Sequence, residues 1–215
     1  MEEIVVATLL WDPNEHSHDF SRSYSEEWVE KLFDGFRRNL NRPFDFVCFV
    51  DRVRRFNRPI KQALLERRPI DYGSCIEPYK LNRPMILVGL DTVVVGNCDP
   101  LADYCFRGKV PLYPRDPYRP RIACNGVSLV PAGYSHIWER WNGENDMEWI
   151  RRHPHEFIDD HFPGLVLSYK GHVKKKGLGG ARIVYFHGKE KPHELGLPWI
   201  REHWRCESEN STAAS

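Results

Sequence analysis

Apolar and polar positions alternate along the chain in blocks that switch between two periods. Ile4–Leu10 is an unbroken apolar run rich in β-branched residues, which predicts a strand covered on both faces. After a polar loop, Asp12–Arg22, the residues Trp28, Leu32, Phe36 and Leu40 recur every four positions with Val29 and Phe33 beside them. That is the stripe of a helix laid on a sheet. Ser23 and Glu26 read as an S-x-x-E capping box at its start, and Arg42-Pro43 as its end. Phe44–Val50 is a second buried strand with Asp51 at its C-terminal end. Strand, helix, strand with continuous apolar strands predicts an α/β chain built on a parallel sheet. Ligands of such open sheets bind beyond the carboxyl ends of the strands, which makes Asp51 a candidate, though a strand-end turn residue looks the same.

The middle is less regular. Ile60–Arg67 reads as a short helix, Met85–Val88 as a buried strand running into Gly89-Leu90-Asp91, and Thr92–Val95 as a further apolar run. Arg107–Pro120 carries Pro111, Pro114, Pro117 and Pro120, so it reads as a loop or an edge strand. Ile122–Val130 is a strand interrupted by Asn125-Gly126, and helical pieces follow near Ser135–Trp141 and Asp146–Arg152. Val166–Tyr169 and Arg182–Phe186 are late strands, the second ending at His187-Gly188. The chain of 215 residues is long enough for one domain, placed at 1–206, with a small polar tail at 207–215 that reads as disordered.

Charge narrows the partners. Lys and Arg number 31 and Asp and Glu 30, a net +1 that supplies no field for nucleic acid or an anionic membrane. The most apolar stretch, Met85–Val95, is broken by Asp91 and falls far short of the roughly 20 residues that span a bilayer. The acidic opening Met1-Glu2-Glu3 is unlike the basic start of a secretory leader. Cys48, Cys75, Cys98, Cys105, Cys124 and Cys206 form no C-x-x-C pair and read as small buried hydrophobes in a reducing cytoplasm, the expected location.

Two strand ends carry candidate chemistry. In Val88-Gly89-Leu90-Asp91-Thr92 a lone carboxylate follows a buried strand, costly unless paired or ligated. In Tyr185-Phe186-His187-Gly188-Lys189-Glu190-Lys191-Pro192 a histidine follows a strand, a glycine permits close backbone approach, and Lys191 adds a point charge. Elsewhere, His153–His161 is rich in metal-ligand types and keeps open a metal-dependent phosphoesterase, although no H-E-x-x-H spacing exists. Lys174-Lys175-Lys176 and Arg52, Arg54, Arg55 and Arg58 read as solvated runs or as anion contacts. Trp138, Trp141 and Trp149 fit either a core face or a stacking platform for a sugar.

Taken together, these segments resemble a known family. Met85–Tyr104 (MILVGLDTVVVGNCDPLADY) is similar to the metal-binding stretch of glycogenin-like, family 8-like glycosyltransferases of the GT-A fold, in which a strand runs into an aspartate-x-aspartate motif. Ala123–Gly133 resembles the family's next strand, Leu167–Lys170 a Ser-Tyr-Lys step of bacterial and phage members, and Phe186–Pro192 (FHGKEKP) its C-terminal signature, with Trp199 and Trp204 following. The resemblance implies a single GT-A-like, Rossmann-like domain with a mixed, mostly parallel sheet flanked by helices. It implies a hexosyltransferase-like enzyme that moves sugar from a nucleotide-diphosphate donor, with a uridine diphosphate sugar favoured, to an unknown acceptor with retention of configuration. Carried over by position, Asp91 and His187 would hold Mn²⁺ or Mg²⁺; Gly188 would lie against the phosphates and Lys191 would pair with the leaving diphosphate. Asn125 would face the donor sugar, and Asp146 would stand near the acceptor, beside Met147 where the family has glutamine. Asp91, Asn125 and Asp146 are thus the catalytic candidates. The first aspartate of the motif is Gly89 here. That departure leaves two readings open: a reduced but working metal site, or a degenerate nucleotide-sugar-binding domain without catalysis.

Overall fold

Residues 3–207 are described by a computed structural model of the chain. Its strands are β1 (Ile4–Leu10), β2 (Phe44–Val50), β3 (Lys61–Leu64), β4 (Met85–Val88), β5 (Val93–Val94), β6 (Leu112–Tyr113), β7 (Val127–Val130), β8 (Glu156–Phe157), β9 (Val166–Ser168) and β10 (Ile183–Tyr185). The helices that matter below are α1 (Glu26–Asn39), α2 (Asp99–Arg107), α3 (His136–Glu139) and α4 (Asp146–Arg151).

A seven-stranded sheet runs in the order β3-β2-β1-β4-β7-β6-β8, and a three-stranded sheet in the order β5-β10-β9. In the larger sheet β1 pairs in parallel with β2 and β4, β2 with β3, and β6 with β8, while β7 is antiparallel to β4 and β6. The sheet is therefore mixed and mostly parallel, as expected. Both of its faces are covered. Ile4, Val6 and Leu10 of β1 enter one core with α1, α2 and the small sheet, whereas Val5, Ala7 and Leu9 enter a second core with Tyr79, Tyr113 and Trp149. A strand buried on both sides cannot alternate, which is why its sequence is one apolar block. The α1 stripe behaves as its spacing predicts: Trp28, Leu32, Phe33 and Phe36 are all buried against the first core.

Several local expectations are corrected. Helix α1 begins at Glu26 with Ser25 in extended conformation at the N-cap, so the Ser23–Glu26 box does not form. The Glu26 carboxylate is taken by Arg54 Nη1 at 2.9 Å instead. Ser25 makes no side-chain cap bond. Ser25→Ala should therefore change urea-denaturation stability by less than about 0.5 kcal/mol, the lower end of what losing a working cap costs.

The expected helix at Ile60–Arg67 is instead the edge strand β3, in register with Val47–Val50. Its apolar residues fit a helical face by spacing alone, but they have little to cover: Leu64 is exposed. A polar, short edge strand also resists pairing with other chains. The proline-rich segment is neither loop nor edge throughout, because β6 lies between β7 and β8. The arginines after β2 are structural: Arg54, only 6% exposed, binds Asp12, Glu26 and Asp51, and Arg58 clamps the buried Asp34. Glu207, expected to open the disordered tail, is held through its backbone N–H on Asp34 at 2.8 Å and its carbonyl on Arg58. The rest of that tail expectation, residues 208–215, lies outside the described residues. No helix among the described residues is long and apolar enough to cross a membrane.

Candidate functional site

Strand pairing brings the two chemistry-bearing segments together. β5 is antiparallel to β10, with Val94 opposite Ile183 and Val93 opposite Val184. Continuing that register outward sets Asp91, just before β5, beside Phe186 and next to His187, just after β10. β4 is antiparallel to β7 with Val88 opposite Val127, so Asn125-Gly126 comes up beside Gly89-Leu90, and Gly89 N–H reaches Gly126 O at 3.4 Å. β9 is parallel to β10 with Ser168 opposite Tyr185, which carries Ser168–Lys170 alongside His187. Distant stretches of sequence thus meet at one place for reasons of hydrogen-bond register alone.

They meet around a cavity of about 450 Å³. Asp91, Asn125, Asp146, His187, Gly188 and Lys191 all line it, so the site residues carried over from the family resemblance border the same space. Asp51 does not; it accepts from Asp12 N–H and Arg54, as a strand-end turn residue would. The cavity walls are largely aromatic: Trp11, His18, Phe20, Tyr24, Tyr72, Tyr118 and Tyr185 contribute. The loop after β1 supplies part of the wall through Ser17, His18, Phe20 and Ser21. His18 stacks between Phe20 and Tyr72, with centroids 5.2 and 5.1 Å away, and the Tyr72 hydroxyl meets Ser21 Oγ at 2.9 Å. Such faces suit a flat heteroaromatic ring or the apolar side of a sugar.

One end of the cavity is charged. Lys191, 1% exposed, donates from Nζ to Asp91 Oδ2, and the Tyr24 hydroxyl donates to the same oxygen at 2.9 Å. Burial, with the Asp91 charge beside it, pushes the Tyr24 phenol up, so it stays a donor at any physiological pH. Lys191 is held in place by its backbone N–H on Glu194 Oε2 at 2.8 Å. His187 Nε2 lies 2.9 Å from Ser168 Oγ. Burial first, then the Lys170 charge, lowers the His187 pKa, which leaves a neutral imidazole at pH 7. Gly188 has φ +61°, a left-handed conformation that glycine adopts without strain. Elsewhere in the lining Asn125 Nδ2 donates to Asp146 Oδ2. Burial pushes the Asp146 carboxyl up to about 6, against the opposing pull of the Asn125 amide.

The expected Mn²⁺ or Mg²⁺ ligands do not form a matching donor set. Asp91 Oδ2 already takes an ammonium and a phenol, and His187 Nε2 is engaged by Ser168. A Cβ on Gly89 would stand 3.0 Å from Asp91 Oδ1, so a side chain there requires Asp91 to give way by a few tenths of an ångström. Among the described residues no group of three or more His, Cys, Asp and Glu side chains is arranged to hold a metal. A dication at Asp91 would sit against the Lys191 ammonium, a like-charge contact at short range.

The competing clusters are spent on structure. Asp159 accepts from Arg115 N–H at 2.9 Å, Asp160 from Arg115 Nη2 at 2.6 Å, and His155 Nδ1 lies 2.7 Å from His153 O, so the phosphoesterase reading finds no site there. Lys174–Lys176 is exposed. Trp149 is buried with Nε1 on Ile137 O, and Trp141 stacks under Arg67 at 3.8 Å, which favours the core reading for these rings. The sequence reading missed Tyr24, Tyr72, Tyr118 and Lys170. Only Lys170 left a trace, in the Ser-Tyr-Lys step; the tyrosines sit in or beside irregular segments whose position no periodicity encodes.

No family model and no curated protein sequence matches the chain. Solved structures do. The glycosyltransferase GlyE of Streptococcus pneumoniae TIGR4 superposes with a TM-score of 0.57 at 9% identity, over 97% of this chain and 66% of that one. The bifunctional glycosyltransferase WbbM gives 0.59 at 9% identity, over 94% of this chain and 51% of that one. The galactosyltransferase LgtC, solved with donor and acceptor sugar analogues, gives 0.57 at 10% identity, over 92% of this chain and 94% of that one. The chain therefore spans about two thirds and half the length of the first two and nearly all of the third. At these identities the likeness establishes the architecture: a GT-A glycosyltransferase fold, with the cavity beyond the carboxyl ends of β1 and β4.

Proposed function

We propose that the chain is a glycosyltransferase that takes a sugar from a nucleotide-diphosphate donor, a uridine diphosphate sugar first among them, and passes it to an acceptor hydroxyl. One observation carries this reading: Asp91, His187, Gly188 and Lys191, together with the Asn125–Asp146 pair, line a single cavity walled in part by aromatic rings in a GT-A fold. The spacing of roles suits the donor. The base lies among the rings near Trp11 and Tyr72, the diphosphate against His187, Gly188 and Lys191, and the sugar toward Asn125 and Asp146.

In the reaction the bond between the anomeric carbon and the diphosphate oxygen breaks, and its electron pair leaves with the diphosphate. The acceptor oxygen bonds to the anomeric carbon and gives up its proton. Fixed cations at the diphosphate stabilise charge that grows only as the bond breaks, so they lower the barrier selectively. The Asp146 carboxylate is the base nearest the sugar end, and Asn125 fixes its orientation.

The test does not require the acceptor, because glycosyltransferases commonly transfer sugar slowly to water. Purified full chain is incubated with a panel of uridine, guanosine and other nucleotide sugars, and nucleoside diphosphate release is measured alongside binding. Release from at least one donor, lost in His187→Ala, is expected. Binding without release would favour the degenerate binding domain that Gly89 suggests. Absence of both binding and release across the panel would remove the reading altogether.

A further inference from the structure

We propose that this cavity binds the donor diphosphate without a divalent cation, its charge met by the ammonium groups of Lys191 and Lys170. The inference rests on the donor-site reading above and adds to it how the phosphates are held.

Lys191 is the first argument. Its side chain is 1% exposed, lines the cavity, and ends on Asp91 under the faces of Phe20 and Tyr24, whose centroids lie 4.5 and 5.7 Å from Nζ. A cation buried this completely needs an anionic partner, and Asp91 supplies one. The partnership is uneven, because Tyr24 donates to the same Asp91 oxygen and draws on the same charge. An ammonium has three donors. Lys191 can therefore keep Asp91 and still turn an N–H toward a phosphate oxygen. Asp91 becomes the anchor that positions the cation instead of a metal ligand.

Lys170 is the second. A Cβ built on Gly188 would stand 3.6 Å from Lys170 Nζ, so this ammonium lies close to the Gly188 turn, which lines the cavity although Lys170 itself does not. Its own acid, Glu190, is 4.0 Å away and is held more closely by Lys174. Lys170 thus has charge to spare at the turn where the phosphates lie. Two ammonium groups bring the charge of one divalent ion, with Gly89 in place of the carboxylate that a metal would need. Fixed cations also pay no cost of stripping water from a free ion, and charge-assisted bonds to phosphate are the strong kind.

Isothermal titration of the full chain tests this, with uridine, guanosine, adenosine, cytidine and thymidine diphosphates as probes. The protein is stripped with EDTA and measured with and without added Mn²⁺ or Mg²⁺. Expected is binding of at least one diphosphate in EDTA, with a Kd changed less than about two-fold by either metal. Lys170→Ala, a change at a partly exposed side chain, should weaken binding by about three-fold or more. Lys191→Met should weaken it by about ten-fold or more, with circular dichroism reporting whether the variant folds. Asp91→Asn is read for its metal response: in a metal-bridged site its loss shows only when Mn²⁺ or Mg²⁺ is present, whereas in a lysine site, whose anchor is loosened, it changes binding by the same factor in EDTA as in either metal. Binding that needs Mn²⁺ or Mg²⁺, or an Asp91→Asn effect confined to the metal-loaded titrations, would overturn the inference and leave the donor-site reading standing. Failure of every diphosphate under every condition would overturn both.

Discussion

Asp146→Asn is expected to make the protein more stable at neutral pH while lowering donor turnover by about 100-fold or more, the range a general base contributes. The stability half follows from burial. Asp146 is buried at the start of α4, and its carboxyl is pushed from an ordinary value near 3.8 up to about 6. Well below pH 3.8 the group is protonated in the folded and the unfolded chain alike, so its titration costs nothing. Between about pH 4 and 6 the unfolded chain has released this proton while the folded chain still holds it, and above about 6 the folded chain must carry the charge out of water. Stability from this group therefore falls across that window and stays level above it, lower by about 2 to 3 kcal/mol at the usual conversion. Asparagine keeps the oxygen that accepts from Asn125 Nδ2 and removes the charge. Urea denaturation should show the variant more stable than the parent at pH 7.5, with the difference gone at about pH 3, below the ordinary carboxyl value. The catalytic half has its own signature: parent turnover rises with pH through about 6, and the variant loses that rise. A variant that is less stable at pH 7.5, or whose pH profile keeps the parent's shape, would contradict the assignment.

Gly126→Val should cost about 1 to 3 kcal/mol and remove nucleotide binding, because the added branch has nowhere to go. A Cβ at this position would meet Tyr185 Cδ2 at 2.6 Å. The Tyr185 ring is almost wholly buried, its hydroxyl near Arg115 O at 3.5 Å and Cys124 Sγ at 3.6 Å, so it cannot swing away from the strand. It must yield toward the cavity, where the donor would lie. Titration with the diphosphate that the parent binds, together with a urea curve, measures both effects. Pairing the change with Tyr185→Ala should return part of the stability, since the three atoms nearest the added Cβ all belong to that ring. A Gly126→Val protein with normal stability and normal binding would show that the close approach is not needed.

The large sheet was legible because its central strands are buried on both faces and its main helix is amphipathic. Ile4–Leu10, Phe44–Val50 and the α1 stripe carry their environments in their composition. β3 was not, because an edge strand covers little and Lys61-Gln62-Ala63-Leu64 carries no alternation that a helix would lack. The capping box failed because the Glu26 side chain has a better partner in Arg54, which arrives from 28 residues away. The site residues were legible one by one through motif resemblance, yet their chemistry was not. A one-dimensional pattern marks Asp91, His187 and Lys191 as polar residues at strand ends. Only the pairing of β5 with β10 makes the ammonium of Lys191 the partner of Asp91, across 100 positions of sequence. The aromatic walls were invisible for the same reason: His18, Tyr72 and Tyr118 become neighbours of the cavity only when the loop after β1 and the segments around residues 72 and 118 close around it.

The two sheets finish at different points along the chain. The seven-stranded one needs no strand beyond Phe157, while the smaller one needs Tyr185 and the turn after it. Synthesis delivers residues in order, and early parts begin to fold before later ones exist. A growing polypeptide on the ribosome therefore holds most of its scaffold well before it holds Lys191, and Asp91 waits without its counter-charge until nearly the whole chain has emerged. Ligand capture is in this way tied to completion: a truncated translation product ending before residue 183 would carry the residues of the large sheet but lack His187, Gly188 and Lys191.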